Sequence, residues 1–297
     1  MASGIFAILD DVATLLDDVA VYSKLAAKKT AGLLGDDLAV NAEKATGFKA
    51  SRELPVIWAI TKGSVVNKLI ILPVAFLLSA YMPWLIVPIL LLGGAYLSYE
   101  GAEKVLEWIL PHKHHETPAA ETTSDRSDLL DLEAHKIKGA IRTDFILSIE
   151  IIVITLGTVM EQSLGIRILV VSFIALIATV GVYGVVALLV RMDDAGLYLI
   201  SKARQMSGAI AGLVKRVGQA LIVSLPYIIR FLGVIGTVAM LLVGGGMYVH
   251  NIEWLHHALA FLPGILGELM FGILLGVVLV GIIQLFKRSR AESVSAD

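Results

Sequence analysis

Cysteine is absent from all 297 residues, which excludes a disulfide framework, a thiolate metal site and a cysteine nucleophile. Charge is scarce as well. Charged residues make up 17% of the chain and apolar residues 57%, against about 25% and about 45–50% in an ordinary soluble domain. The formal net charge of −2 denies the chain the strongly basic face that nucleic acid requires. The signatures GxxxxGK[ST], GxSxG and HExxH are all missing, so ATP-driven pumping by this chain alone is disfavoured, and neither enzymatic activity nor a cofactor is expected. Residues 1–10 lack a basic n-region and reach an aspartate by Asp10, unlike a cleavable signal peptide.

What is present is a series of long apolar stretches. A spanning helix needs roughly 20 mostly apolar residues to cross a ~30 Å hydrocarbon core. Six segments meet that need: about Val65–Ala80 with Lys68 near its start, Trp84 to about Ser98, Ile141–Met160, Ile166–Val190, about Leu221–Val249, and Phe261–Phe286. The first two are short and carry Pro73, Pro83 and Pro88, which leaves a re-entrant hairpin open as an alternative to two full spans. Lysine and arginine stay on the cytoplasmic side. They crowd the region before the first span, the loop after the second, the loop after the fourth and the tail. The loops at 81–83, 161–165 and 250–260 contain none. This alternation predicts three hairpins in an inner membrane with both termini cytoplasmic.

The predicted fold is therefore all-α, a polytopic membrane protein of about six transmembrane helices with an amphipathic cytoplasmic N-terminal region. Residues 1–62 form that region and 63–286 the transmembrane domain. The latter is interrupted by cytoplasmic segments 101–140 (flexible about 112–128) and 191–219, and residues 287–297 are a cytoplasmic tail. In the first region Ile5, Leu9, Val12, Leu16 and Val19 share one helical face. Leu-Asp-Asp-Val-Ala repeats at 9–13 and 16–20, stacking Asp10 over Asp17 and Asp11 over Asp18. The four aspartates read either as a cation ladder or as the wet face of a helix. Gly32 and Gly35 are expected to stop this helix, with Asp36 capping a second one. His112, His114 and His115, with Glu116, form a histidine-rich loop whose side chains suit zinc or nickel, although its spacing preorganises no tetrahedral site.

Ionisable groups at bilayer depth carry most of the functional information, because each costs about 2.5–3.5 kcal/mol at a helix centre on insertion scales. Glu150 lies mid-way along the third span and Asp144 six residues earlier, at a different azimuth. Arg230 lies in the fifth stretch and Glu268 early in the sixth. Glu150 and Arg230 could pair as a polar centre, or Arg230 could lie at the interface. Pro226 should kink the fifth stretch, and Gly244, Gly245 and Gly246 either loosen its outer end or permit close helix packing. In the outer loop, His250, Glu253, Trp254 and His257 read as an interfacial helix or as a sensor.

Three blocks carry a resemblance: Leu15-Leu-Asp-Asp-Val-Ala-Val-Tyr-Ser-Lys-Leu-Ala-Ala-Lys-Lys-Thr-Ala-Gly-Leu-Leu-Gly-Asp-Asp-Leu38, Arg52-Glu-Leu-Pro-Val-Ile-Trp58 and Lys62-Gly-Ser64. With these the chain resembles the YedI family of bacterial inner-membrane proteins, of unknown function, over essentially its full length. The resemblance implies a plasma-membrane location and supplies no activity or site residue. Two functional readings follow. One is a secondary transporter or channel-like protein for a small ion or solute, with Glu150 as the coupling carboxylate. The other is a non-transporting scaffold that recruits a cytoplasmic partner through the N-terminal region. The lipid bilayer is a partner in both, and a homo-oligomer is compatible with either.

Overall fold

The computed structural model describes residues 2–45, 50–109, 126–206 and 208–294. Among them the regular structure is helical: α1 (Ala2–Ala45), α2 (Ala50–Tyr81), α3 (Ile86–Ile109), α4 (Arg126–Thr158), α5 (Leu164–Val190), α6 (Met192–Ala203), α7 (Ala209–Asn251), α8 (Glu253–Leu259) and α9 (Gly264–Val294). Five stretches are long and apolar enough to cross a membrane: Arg52–Tyr81, Pro83–Ile109, Leu164–Val190, Ile210–Asn251 and Gly264–Leu285. Many large apolar side chains on them face outward, among them Leu69, Leu77, Leu92, Leu188, Phe231 and Leu274. This is a membrane protein. The expected count of six differs by α4, whose last turns carry Arg142, Asp144 and Glu150 within an otherwise apolar run.

The helix pairs that were expected to be short are longer than their apolar cores. Helices α2 and α3 are joined by a 3-10 turn at Pro83–Leu85, and α2 runs unbroken through Pro55 and Pro73. At about 1.5 Å per residue, each is long enough to cross the bilayer.

The principal departure from the sequence reading is α1. It is one continuous helix through Gly32 and Gly35, the positions expected to stop it. A glycine in a helix costs only about 1 kcal/mol relative to alanine, and a Cβ at either position would meet no neighbour, so both sit on the outer surface of the helix. The opposite face is buried: Ser23, Ala26, Thr30, Asp37, Val40, Asn41, Ala42 and Ala45. Ala26 packs with Ile166, Val170 and Ile174 of α5 and with Ile151 and Ile152 of α4. Ala42 and Ala45 pack with Val186 and Val190 at the other end of α5. Helix α1 therefore runs parallel to α5 along the bundle rather than forming a layer apart from it.

The bundle has two ends. The upper one is where α5 starts and α7 finishes; the lower one is where α1 and α5 finish. Helix α9 descends from the upper end, where Gly245 of α7 meets Glu268, to the lower, where Gly276 meets Ser98 and Ala102 of α3. The first part of α1 and the last part of α9 thus lie at opposite ends of the bundle.

Helix α7 is likewise continuous, from Ala209 to Asn251 through Pro226 and the glycine triplet. Gly244, Gly245 and Gly246 do not break it. A Cβ on Gly244 would lie 2.8 Å from the Gly94 carbonyl oxygen, and one on Gly245 would collide with the Glu268 backbone. Gly272 faces Leu241 in the same way. Small residues here let three backbones meet, and this junction fixes how α9 presents Glu268 to α7. The outer-loop helix is present as α8, with Trp254 exposed. The segment 191–219 forms α6 and the start of α7, which cross at Gly196 and Gly218.

Candidate functional site

Three polar levels follow one another down the inside of the bundle. The uppermost is a cavity of about 330 Å³ between α1, α3, α4, α7 and α9. Asp36, Glu150, Glu268 and His250 line it, with Leu33, Leu90 and Met247 among the apolar walls. Its position follows from local structure. Asp36 is presented by the uninterrupted α1, and Glu268 by the first turns of α9 at the glycine junction. Glu150 is 9% exposed and has no hydrogen-bond or ion-pair partner among the described residues. It lines the cavity. His250 Nε2 lies 3.5 Å from Glu268 Oε1, and its Nδ1 lies 3.0 Å from the Gly246 carbonyl.

The middle level is a buried hydrogen-bonded chain across four helices. Asp144 of α4, 1% exposed, accepts from Ser64 Oγ at 2.8 Å and Asn67 Nδ2 at 3.0 Å, both from α2. The Tyr183 hydroxyl of α5 lies 2.9 Å from Asp144 Oδ1 and 3.0 Å from Asn41 Oδ1 of α1. Asn41 Nδ2 donates in turn to Asp37 Oδ1 at 2.5 Å. Lys68 Nζ donates to Ser64 Oγ at 2.8 Å and Ser148 Oγ at 2.9 Å, and stands 3.6 Å from Asp144. Buried charges persist when paired and hydrogen-bonded, and Asp144 meets both conditions. Glu150 meets neither. The adjacent residues Asp36 and Asp37 link the levels, one lining the cavity and the other ending the buried chain.

The lower level consists of ion pairs that tie α1 to α3: Lys44 with Glu100, and Lys104 with Glu43. Thr143 of α4 donates to Glu100 at 3.0 Å. Beyond them, Arg52 clamps Glu133 through two hydrogen bonds, of 3.1 and 2.6 Å. Those bonds hold the Glu133 carboxyl below its usual value.

Of the residues singled out from sequence, Glu150 and Glu268 share the cavity, and Asp144 faces away from it into the buried chain, as its different azimuth predicts. Arg230 is exposed and forms no pair with Glu150 among the described residues; the cavity's other charged wall is carboxylate, not guanidinium. Asp10, Asp11, Asp17 and Asp18 are exposed along the upper part of α1, so they collect no buried partner. His112, His114 and His115 lie outside the described residues. Sequence reasoning missed Asp36 as a cavity residue, and missed Asp37, Asn41, Asn67, Ser64 and Tyr183 altogether. The available signal was Asp36-Asp37 set between Leu33-Leu34 and Leu38-Ala39-Val40, a charged pair inside an apolar run.

Neither a curated protein nor a solved structure matches the chain. A family model described as "Protein of unknown function (DUF808)" matches residues 3–282. That range takes in α1, all three polar levels and nearly all of α9, so the site just described lies wholly inside the matched region. The chain belongs to the DUF808 family of proteins of unknown function.

Proposed function

We propose that this is a bacterial inner-membrane protein of the YedI group that moves a small ion or solute across the bilayer as a secondary transporter or channel-like protein, with Glu150 as the coupling carboxylate. The observation that carries the reading is that Glu150 is buried, has no partner among the described residues and lines the cavity. An isolated carboxylate at this depth is expensive unless a proton or a cargo cation neutralises it. Exchange of one for the other is what couples two fluxes. Transport on this reading would need the lower ion pairs between α1 and α3 to part, opening a path below the cavity.

Topology follows from charge. The lower end carries Lys44, Arg52, Lys104, Arg191, Lys202 and Lys215, whereas the upper turns at 81–83 and 161–165 carry no lysine or arginine, and Arg167 with Lys24, Lys28 and Lys29 of α1 are the exceptions toward the upper end. The lower end is cytoplasmic by the positive-inside rule. On this reading α1 and α4 lie alongside the five apolar helices, with the acidic start of α1 toward the outside and the end of α9 toward the inside. The scaffold alternative loses ground because α1, its recruiting element, is packed into the bundle from Ser23 onward.

The test is charge movement in proteoliposomes under proton, sodium, divalent-metal and n-butylammonium gradients, with Glu150→Gln measured beside the wild type. Gradient-dependent current lost in the variant supports coupling at Glu150. Silence under every gradient, with both proteins folded, overturns the reading.

A further inference from the structure

The cavity also specifies what can fill it. From its walls we infer that the cavity binds a small aliphatic ammonium ion that keeps N–H donors, a primary or secondary amine in its charged form, with Glu150 as counter-charge. This deepens the transport reading and rests on it. Four observations narrow the ligand.

The first is charge. Three carboxylates (Asp36, Glu150 and Glu268) face the space, and His250 alone offsets them, at the rim beside Glu268. Glu150 is the one more than nine-tenths buried and, among the described residues, without a partner, so the deepest countercharge is missing and an anionic or neutral ligand would leave it so.

The second is the lack of a chelating set. Among the described residues no three histidine, aspartate or glutamate side chains come together as metal ligands. Calcium or magnesium stripped of water requires six or more oxygens and zinc four ligands, and the described residues do not offer either set in one place.

The third is the apolar wall. Leu33, Leu90, Val153, Ile154, Leu242 and Met247 line the space between the carboxylates. A hydrated inorganic ion gains nothing from these side chains and would dehydrate against them, whereas an alkyl chain buries its own surface there at about 25 cal/mol per Å². The volume of about 330 Å³ sits at the lower end of the roughly 300–1,000 Å³ range of small-molecule sites.

The fourth separates ammonium types. Quaternary ammonium recognition relies on aromatic faces, and among the described lining residues there is no tryptophan, tyrosine or phenylalanine. What the walls present instead is carboxylate oxygen, which is matched by charge-assisted N–H donors.

The experiment uses the purified full chain in detergent, with n-butylammonium, butyltrimethylammonium, sodium, potassium and magnesium as probes in calorimetry and thermal-shift titrations. Saturable binding of n-butylammonium is expected, with butyltrimethylammonium at least about tenfold weaker because it lacks the donors. Glu150→Gln should weaken n-butylammonium by about thirtyfold or more, the usual result of removing one partner of a buried charged contact. The wild-type comparison of the two ammonium ions decides the matter without the variant. Equal binding of both, or binding of the inorganic ions alone, overturns the ligand class and leaves transport by Glu150 standing. Gradient-driven current with no amine binding does the same. Absence of both binding and current defeats the transport reading as well.

Discussion

Replacing Lys68 by methionine probes the buried chain most sharply. The Lys68 ammonium is buried, donates to Ser64 and Ser148, and stands 3.6 Å from Asp144. Coulomb's law at an effective dielectric of about 20 gives roughly 5 kcal/mol at that distance. Removing one partner of a buried pair typically costs about 3–5 kcal/mol, because the other charge is left uncompensated. Asp144 would keep its neutral donors Ser64, Asn67 and Tyr183, so the lower half of that range, about 3–4 kcal/mol, is expected. Adding Asp144→Asn to Lys68→Met removes the stranded charge and should restore part of the loss. The double variant should then be more stable than the sum of the two single losses by at least about 1 kcal/mol. Equilibrium unfolding in mixed detergent, read by helical circular dichroism, supplies all three differences. If Lys68→Met lies within about 1 kcal/mol of wild type, or if the double variant loses the full sum, the chain is not held by this charge pair and the reasoning fails.

Other outcomes follow from the same geometry. Gly245→Ala should abolish a stable fold, since the new methyl would enter the Glu268 backbone, whereas Gly246→Ala, whose Cβ meets nothing nearer than 3.5 Å, should be tolerated; monodispersity on size exclusion separates them. Glu133 titrates below its usual value because of Arg52's hydrogen bonds, so its contribution is present above the unfolded carboxyl value and lost as pH falls through the folded one. Melting curves of wild type and Arg52→Gln should accordingly differ at neutral pH and converge in acid; a gap that persists in acid contradicts the assignment. Because the chain lacks cysteine, single cysteines report sidedness cleanly. Asp17→Cys should react with an impermeant thiol reagent from outside intact cells and Asp194→Cys only from inside, and reaction of both from one side would refute the orientation.

Much of the fold was legible in the sequence, and the reason lies in solvent. The long apolar stretches in α2, α3, α5, α7 and α9 could be read because lipid-facing residues must be apolar on nearly every side. Glu150 and Glu268 stood out for the same reason. Helix α1 did not. Its buried face uses Ser23, Thr30, Asp37 and Asn41, residue types that hydropathy assigns to water. Their true partners are distant in the chain, as with Tyr183 against Asn41, 142 residues apart. The glycine triplet was ambiguous because flexibility and close packing leave the same letters; only the approach of Gly94 and Glu268 to α7 decides for packing. The pairing of Glu150 with Arg230 failed because charge complementarity along a sequence says nothing about which helix faces turn toward each other. Arg230 turns outward.

The central claim is that Glu150 lines the cavity near the upper end of the bundle and is reached from that side, and a single cysteine there tests it most directly. Glu150→Cys in the otherwise cysteine-free chain should react with trimethylammonioethyl methanethiosulfonate, an impermeant reagent of fixed positive charge, added outside sealed vesicles. A thiol that stays unmodified in the folded protein, yet reacts fully once the protein is denatured, would contradict the account.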